Sequence, residues 1–389
     1  LSEESVIDPR SPAPAKGQPR PPQISALTSI RFLAALYVAT YHLVRPFERW
    51  GSFAGFMGAG YTGVSFFFLL SGFILTYSHA SEKDFGPHFV KRFYFARFAR
   101  IYPVYVIALI ASVYVYRYQL VNKIHLLALV ADILMVQTWS IRMVSFFNVP
   151  AWSISSEVFF YLVFPWIFLK LRPRTRNRGL AWFAGFWALA MVPPFFAFLF
   201  YPGNPWVEGY GLVNFFVRRL PLFALPEFLA GVSLAWLYLL FGQGKRHAAA
   251  ASLMSAAGIL VVLFFAQHIP VVFLHNGLLL PLFATLLLSL CQDTAISRAL
   301  SSPPLILLGE ASYAFYLIHY FLANLLTGLM HLDTGFRSSL TCLAITLPVA
   351  IALHLWVERP CRRELLRWWN RNHEAGTGTA RSVAQRLPL

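Results

Sequence analysis

The chain has 389 residues, 58% hydrophobic and 12% charged, with a mean hydropathy of +0.58; soluble domains carry about a quarter charged residues, which excludes an ordinary cytosolic enzyme. Thirty-two Lys and Arg against 16 Asp and Glu leave a net charge of +16. Because the apolar runs are long enough to cross a bilayer, that excess reads as a topology signal and not as affinity for nucleic acid. The three cysteines, Cys291, Cys342 and Cys361, have neither paired spacing nor a CxxC or His/Cys pattern, so neither a disulfide framework nor a bound metal is expected.

Residues 1–23 are polar and Pro-rich, without the apolar core of a signal peptide, and read as a disordered cytoplasmic tail. Apolar stretches then follow near 25–45, 59–79, 101–118, 152–169, 179–200, 220–241, 248–267, 272–290, 304–330 and 338–357. The expectation is an all-α polytopic integral membrane protein of about ten transmembrane helices. Its membrane domain covers 24–365, and a basic cytoplasmic tail covers 366–389. A further stretch, 124–147, is interrupted by Asp132, Gln137 and Arg142. With ten spans and both termini inside, 23 of the 32 basic residues fall on the cytoplasmic side. A full crossing by 124–147 would put KLRPRTRNR and the basic C-terminus on opposite sides, so this stretch reads as an outer-face, re-entrant or interfacial segment.

An ionisable group inside a span costs about 2.5–3.5 kcal/mol on insertion scales, so each such group is a candidate for function. Arg31 and His42 lie eleven residues apart in the first span, close to three helical turns, and so share a face about 16 Å apart. Taken alone, they could be a snorkelling cation and an interhelical hydrogen bond. In the second span Ser71 precedes Gly72 within an aromatic run; a small residue there permits close helix packing, and the serine offers a hydroxyl. The segment FVKRFYFARFARIYP follows. Its Lys91 and Arg92 read as inner-face anchors, whereas Arg97 and Arg100, three apart on one face, suit a phosphorylated ligand. AWSISSEVFFYL places Glu157 in a span behind Trp152 and Ser153, and a carboxylate there needs a cation or hydrogen bonds. LGEASYAFYLIHYFL aligns Ser312, Tyr316 and His319 at i, i+4, i+7. In the closing WVERP, Glu358 and Arg359 read as an interfacial ion pair, while His354 one turn earlier leaves a functional role for this end of the span open.

In their order along the chain, LTSIRFLAALYVATYH, GVSFFFLLSGFIL, RFARIYP, WSISSEVFFYL, SYAFYLIH and ERP resemble the acyltransferase family 3 integral-membrane proteins, across about 24–365. The resemblance implies transfer of an acyl group, usually acetyl, from cytoplasmic acetyl-CoA or another acyl-CoA to hydroxyls of exopolysaccharide, lipopolysaccharide, peptidoglycan precursors or secondary metabolites such as macrolides. It implies a bacterial inner membrane, a glycan or lipid-linked sugar acceptor, and polysaccharide-assembly proteins as further partners. The family's essential Arg and His fall on Arg31 and His42, its arginine pair on Arg97 and Arg100, and its acid on Glu157. This chain has Thr28, Ser65 and Val158 where many members carry acids, and with about thirty residues after its last span the expectation is a membrane domain acting unaided or with a separate partner, where some relatives append a hydrolase-like domain.

The expected chemistry makes His42 the general base toward an acceptor hydroxyl, or a transient acyl carrier, oriented by Glu157 or Tyr316. Arg31 stabilises negative charge, Arg97, Arg100 and Ser71 hold the acyl-CoA, and Trp152, Ser153, Ser312 and His319 meet the acceptor. A glycan transporter or flippase without acyl transfer is the alternative that membrane His and Glu also permit.

Overall fold

The computed structural model describes residues 24–44, 47–82, 86–117, 122–200, 211–242, 247–331 and 335–373. The expected N-terminal tail, and the expected C-terminal tail from 374 on, lie outside them. In chain order the helices are α1 (Ser25–Leu43), α2 (Ala54–Gly58), α3 (Gly63–His79), α4 (Pro87–Val115), α5 (Lys123–Ile133), α6 (Ala151–Ile167), α7 (Arg176–Phe200) and α8 (Gly211–Arg219). They continue with α9 (Pro221–Phe241), α10 (Ala248–Phe264), α11 (Val271–His275), α12 (Leu280–Leu290), α13 (Ala295–Leu300), α14 (Pro303–Met330), α15 (Phe336–Leu353) and α16 (Arg359–His373). The described residues contain no strand. Helices satisfy every backbone donor and acceptor within one segment, which hydrocarbon demands.

Seven helical stretches among the described residues are long and apolar enough to cross a membrane: Trp50–His79, Pro87–Val115, Arg176–Phe200, Gly211–Phe241, Val271–Leu290, Pro303–Met330 and Phe336–His373. The other three expected stretches form α1, α6 and α10, of 19, 17 and 17 residues. The chain is thus an all-helical, multi-pass membrane protein. Lipid replaces water on its flank: α7 turns Leu189, Phe195, Phe196 and Phe200 outward, with no soluble-protein penalty for doing so.

Two elements differ from a simple span. The 29-residue α4 begins at Pro87, not near 101; at 1.5 Å per residue it is about 43 Å long, so its basic first half extends beyond a core of about 30 Å. α5 has only 11 residues, about 16 Å, too short to cross. It ends where Met135 takes a positive φ of 55°, and Ser155 anchors the bend by donating to the Met135 carbonyl at 2.6 Å.

The frame around the interior is set by glycine. A Cβ at Gly72 on α3 would lie 2.0 Å from the Phe228 carbonyl oxygen, and one at Gly231 on α9 would lie 2.0 Å from that of Leu69. The two backbones therefore touch at a reciprocal crossing, the close-packing role expected of Gly72. Gly309 on α14 does the same against α1, where a Cβ would stand 2.1 Å from the Thr28 carbonyl oxygen. Between these pairs Phe68, Phe160 and Phe228 pack ring on ring, with centroids 5.1 and 5.0 Å apart.

α15 passes into α16 through a π-helical turn, His354–Glu358. Its wider coil turns His354 Nδ1 to Glu358 Oε2 at 2.9 Å, while His354 Nε2 lies 3.4 Å from Glu310 Oε2 on α14. Glu358 accordingly pairs with His354, where an ion pair with Arg359 had been expected.

Candidate active site

A cavity of about 110 Å3 lies between α1, α3, α4, α6 and α14. Its wall carries Arg31, Ser71, Arg97, Arg100, Ser153, Glu157, Ser312 and Tyr316, all singled out in the sequence, together with Tyr161 and Tyr313. His42, Trp152 and His319 do not line it. Each wall residue arrives by a separate local route. Arg31 stands one turn after the Thr28–Gly309 crossing, Ser71 is next to Gly72, and Arg97 and Arg100 project from mid-α4 because that helix starts early.

Glu157 is the acid on this wall among the described residues. It accepts from Ser71 Oγ at 3.2 Å and from the Tyr161 hydroxyl, and it lies within Coulomb range of Arg31 and Arg97. A carboxylate at this depth is thus held by two hydroxyls and by cations. The Arg97 guanidinium lies over the rings of Phe93 and Tyr161, 5.7 and 5.9 Å from their centroids, and its Nε is buried without a hydrogen-bond partner among the described residues. Arg362 of α16 does not line the cavity but is within Coulomb range of Arg97 and Arg100, and of Glu358 and Glu310. On the cavity wall itself three guanidiniums, of Arg31, Arg97 and Arg100, stand against one carboxylate, an arrangement that favours an anion.

Three turns along α1, His42 Nδ1 meets His319 Nε2 at 2.9 Å, and the two rings stack with centroids 5.1 Å apart. His319 is fully buried, and its Nδ1 lies 2.7 Å from the Tyr316 carbonyl oxygen. A carbonyl only accepts, so His319 Nδ1 carries the proton there and a neutral His319 presents a lone pair at Nε2. His42 must then donate from Nδ1, which leaves its Nε2 as the unprotonated nitrogen. Tyr316 and Ser153 share a hydrogen bond of 2.7 Å between their hydroxyls. Glu157 and the Tyr316 hydroxyl, expected to orient His42, turn instead to Ser71 with Tyr161 and to Ser153. Ser312 Oγ donates to the Gly309 carbonyl at 2.7 Å.

Trp152 is overlain by the Arg219 guanidinium at 5.1 Å, and Arg219 also donates to Ser145 Oγ at 2.6 Å. Ser65 Oγ stands 2.8 Å from Glu227 Oε1 and 2.9 Å from the His275 carbonyl oxygen. Buried Glu227, on α9, so brings a carboxyl group to Ser65. Glu227, Tyr161, Arg219 and Arg362 were not singled out in the sequence. Glu227 was detectable as an acid within the 220–241 stretch; Tyr161 is one aromatic among many. Among the described residues, no group of three or more His, Cys, Asp or Glu side chains could hold a metal ion.

Comparison with known proteins agrees with the helical architecture. The family model for an acyltransferase domain, acyltransferase family 3, matches residues 24–355. The acyltransferase MdmB of Streptomyces mycarofaciens is 32% identical over 375 residues, covering 89% of this chain and 94% of that protein. The peptidoglycan O-acetyltransferase OatA of Listeria monocytogenes is 24% identical, over 87% of this chain and 56% of its own length. A putative O-acetyltransferase of Staphylococcus aureus is 25% identical, over 76% of this chain and 50% of its own. The chain thus spans about half the length of these last two relatives. No solved structure matches it. With the family model spanning nearly all of the membrane domain, the chain belongs to acyltransferase family 3, a family of membrane acyltransferases.

Proposed function

We propose that this protein is an acyl-CoA-dependent membrane O-acyltransferase, moving an acyl group, acetyl above others, to a hydroxyl of a cell-envelope glycan or a related secondary metabolite. The bacterial inner membrane is its place of action. The observation that carries the reading is the convergence of Arg31, Ser71, Arg97, Arg100, Glu157 and Tyr316, from five helices, on one cavity. The donor's phosphates fit Arg97 and Arg100 of α4, which line the cavity, with Arg362 within Coulomb range of both. An acyl-CoA thioester supplies an activated acyl carbon when bound.

The protein's own residues do the rest. Arg97 and Arg100 hold the phosphates by charge-assisted hydrogen bonds. Arg31, balanced by Glu157 and three turns from His42 along α1, stabilises negative charge on a donor phosphate. His42 takes the proton of the attacking hydroxyl at Nε2, the nitrogen that its hydrogen bond to His319 leaves basic. Ser153 and Trp152, beside Tyr316, orient the acceptor. Purified protein incubated with radiolabelled acetyl-CoA and a panel of lipid-linked glycans should label one acceptor class. His42→Ala should cut that transfer by about 10²–10⁴-fold while still inserting in the membrane. Movement of glycan across vesicles without consumption of acetyl-CoA would refute the enzyme in favour of a transporter.

A further inference from the structure

A second cavity, of about 610 Å3, opens where α6 gives way to α7, beside the C-terminal end of α9. It shares no lining residue with the first. Lys170, Arg172, Arg174 and Arg178 line it, and no Asp or Glu does. Topology alone asks only that such charges lie near span ends; it does not ask for a concave site. Two of these cations are held by aromatic faces: the Arg172 guanidinium lies 5.2 Å from the Trp236 ring and that of Arg178 lies 5.1 Å from the Trp182 ring. None of the four is paired with a carboxylate among the described residues. Cation–π contacts fix a guanidinium's position yet leave its N–H edge free to bind an anion.

The wall is two-sided in chemistry. Trp182, Leu240 and Phe241 give it an apolar flank, and Phe241 is exposed at the last residue of the apolar helix α9. A soluble anion would use the cations and leave that flank in water. An anionic glycerophospholipid uses both, with its phosphate among the arginines and its acyl chains along Trp182 and Phe241.

We propose that this cavity is a binding site for one anionic phospholipid of the adjoining leaflet. The test uses the whole protein in nanodiscs of phosphatidylcholine with a minor share of phosphatidylglycerol, with retained lipid read by native mass spectrometry. Wild type should retain phosphatidylglycerol selectively. Lys170→Gln with Arg174→Gln, which leaves the tryptophan-stacked arginines and the fold in place, should lose retention by about fivefold per charge removed, and adding Arg172→Gln and Arg178→Gln should abolish selectivity. Lys91→Gln with Arg92→Gln, exposed cations on α4 outside the cavity, should retain the lipid as wild type does. Equal loss in that control would mean diffuse surface charge and overturn the site. Displacement of the lipid by sn-glycerol 3-phosphate at millimolar concentration would assign the cavity to a soluble anion and overturn the lipid. Unchanged retention in the Lys170/Arg174 variant would do the same.

Discussion

Because His319 Nδ1 is tied to the Tyr316 carbonyl, its effect on catalysis should run through the tautomer of His42. His319→Ala should lower kcat by about 10- to 100-fold, the usual cost of losing an orienting partner, with KM for acyl-CoA little changed. His319→Gln, whose side-chain oxygen can accept from His42, should recover part of the rate. His319→Phe, which only fills the space, should not; equal rates for the two would mean the ring is packing alone. At the mouth, Arg97→Ala with Arg100→Ala should weaken acyl-CoA binding by at least about tenfold, since each hydrogen bond to a charged group contributes about 1.5–3 kcal/mol. An unchanged affinity in a binding titration would remove the arginines from the donor site. The wall residues were readable from sequence because Arg31, Glu157 and the serines stand out against apolar helices on cost alone. Glu227 meets the same criterion, whereas Tyr161 does not, and its hydrogen bond to Glu157 becomes visible only in three dimensions.

At the scale of elements, the glycine crossings make an unusually sharp prediction. Gly72→Ala places a methyl group within 2.0 Å of a backbone oxygen that cannot rotate away, so the helices must part, at about 1–3 kcal/mol. Gly185→Ala, in the interior of α7 with nothing within 4 Å, should instead stabilise by up to about 1 kcal/mol through helix propensity. Thermal unfolding in one detergent compares them directly, and equal shifts would contradict the crossing. Hydropathy located the apolar bodies of these helices but misplaced the start of α4, because the basic, aromatic segment from Pro87 to Arg100 is helical without being apolar. The π turn at His354–Glu358 was beyond any periodicity argument, since a local change of coil leaves no mark on the spacing of apolar residues.

For the whole molecule, charge is the guide to orientation. After replacement of Cys291, Cys342 and Cys361, Arg174→Cys should react with an impermeant maleimide from the cytoplasmic face alone, and Ser140→Cys from the opposite face alone. The reverse pattern, Arg174→Cys labelled from outside and Ser140→Cys from the cytoplasm, would require that 124–147 crosses, whereas labelling of both from one side would mean that α6 does not. What sequence cannot supply at this scale is distance between helices. His42 and His319 are 277 positions apart, and nothing in either segment announces that they meet.

The two backbone crossings lie within one turn of the cavity wall: Gly72 adjoins Ser71, and Thr28 with Gly309 sits just before Arg31 and Ser312. The geometry of the chamber is therefore set by main chain against main chain, independently of the side chains that face into it. A scaffold of this kind separates shape from selectivity. Exchange of wall side chains such as Ser153 or Phe67 should therefore reshape the chamber while Arg31, Arg97 and Arg100 keep their register, so its contents can change by few substitutions, none of them at glycine.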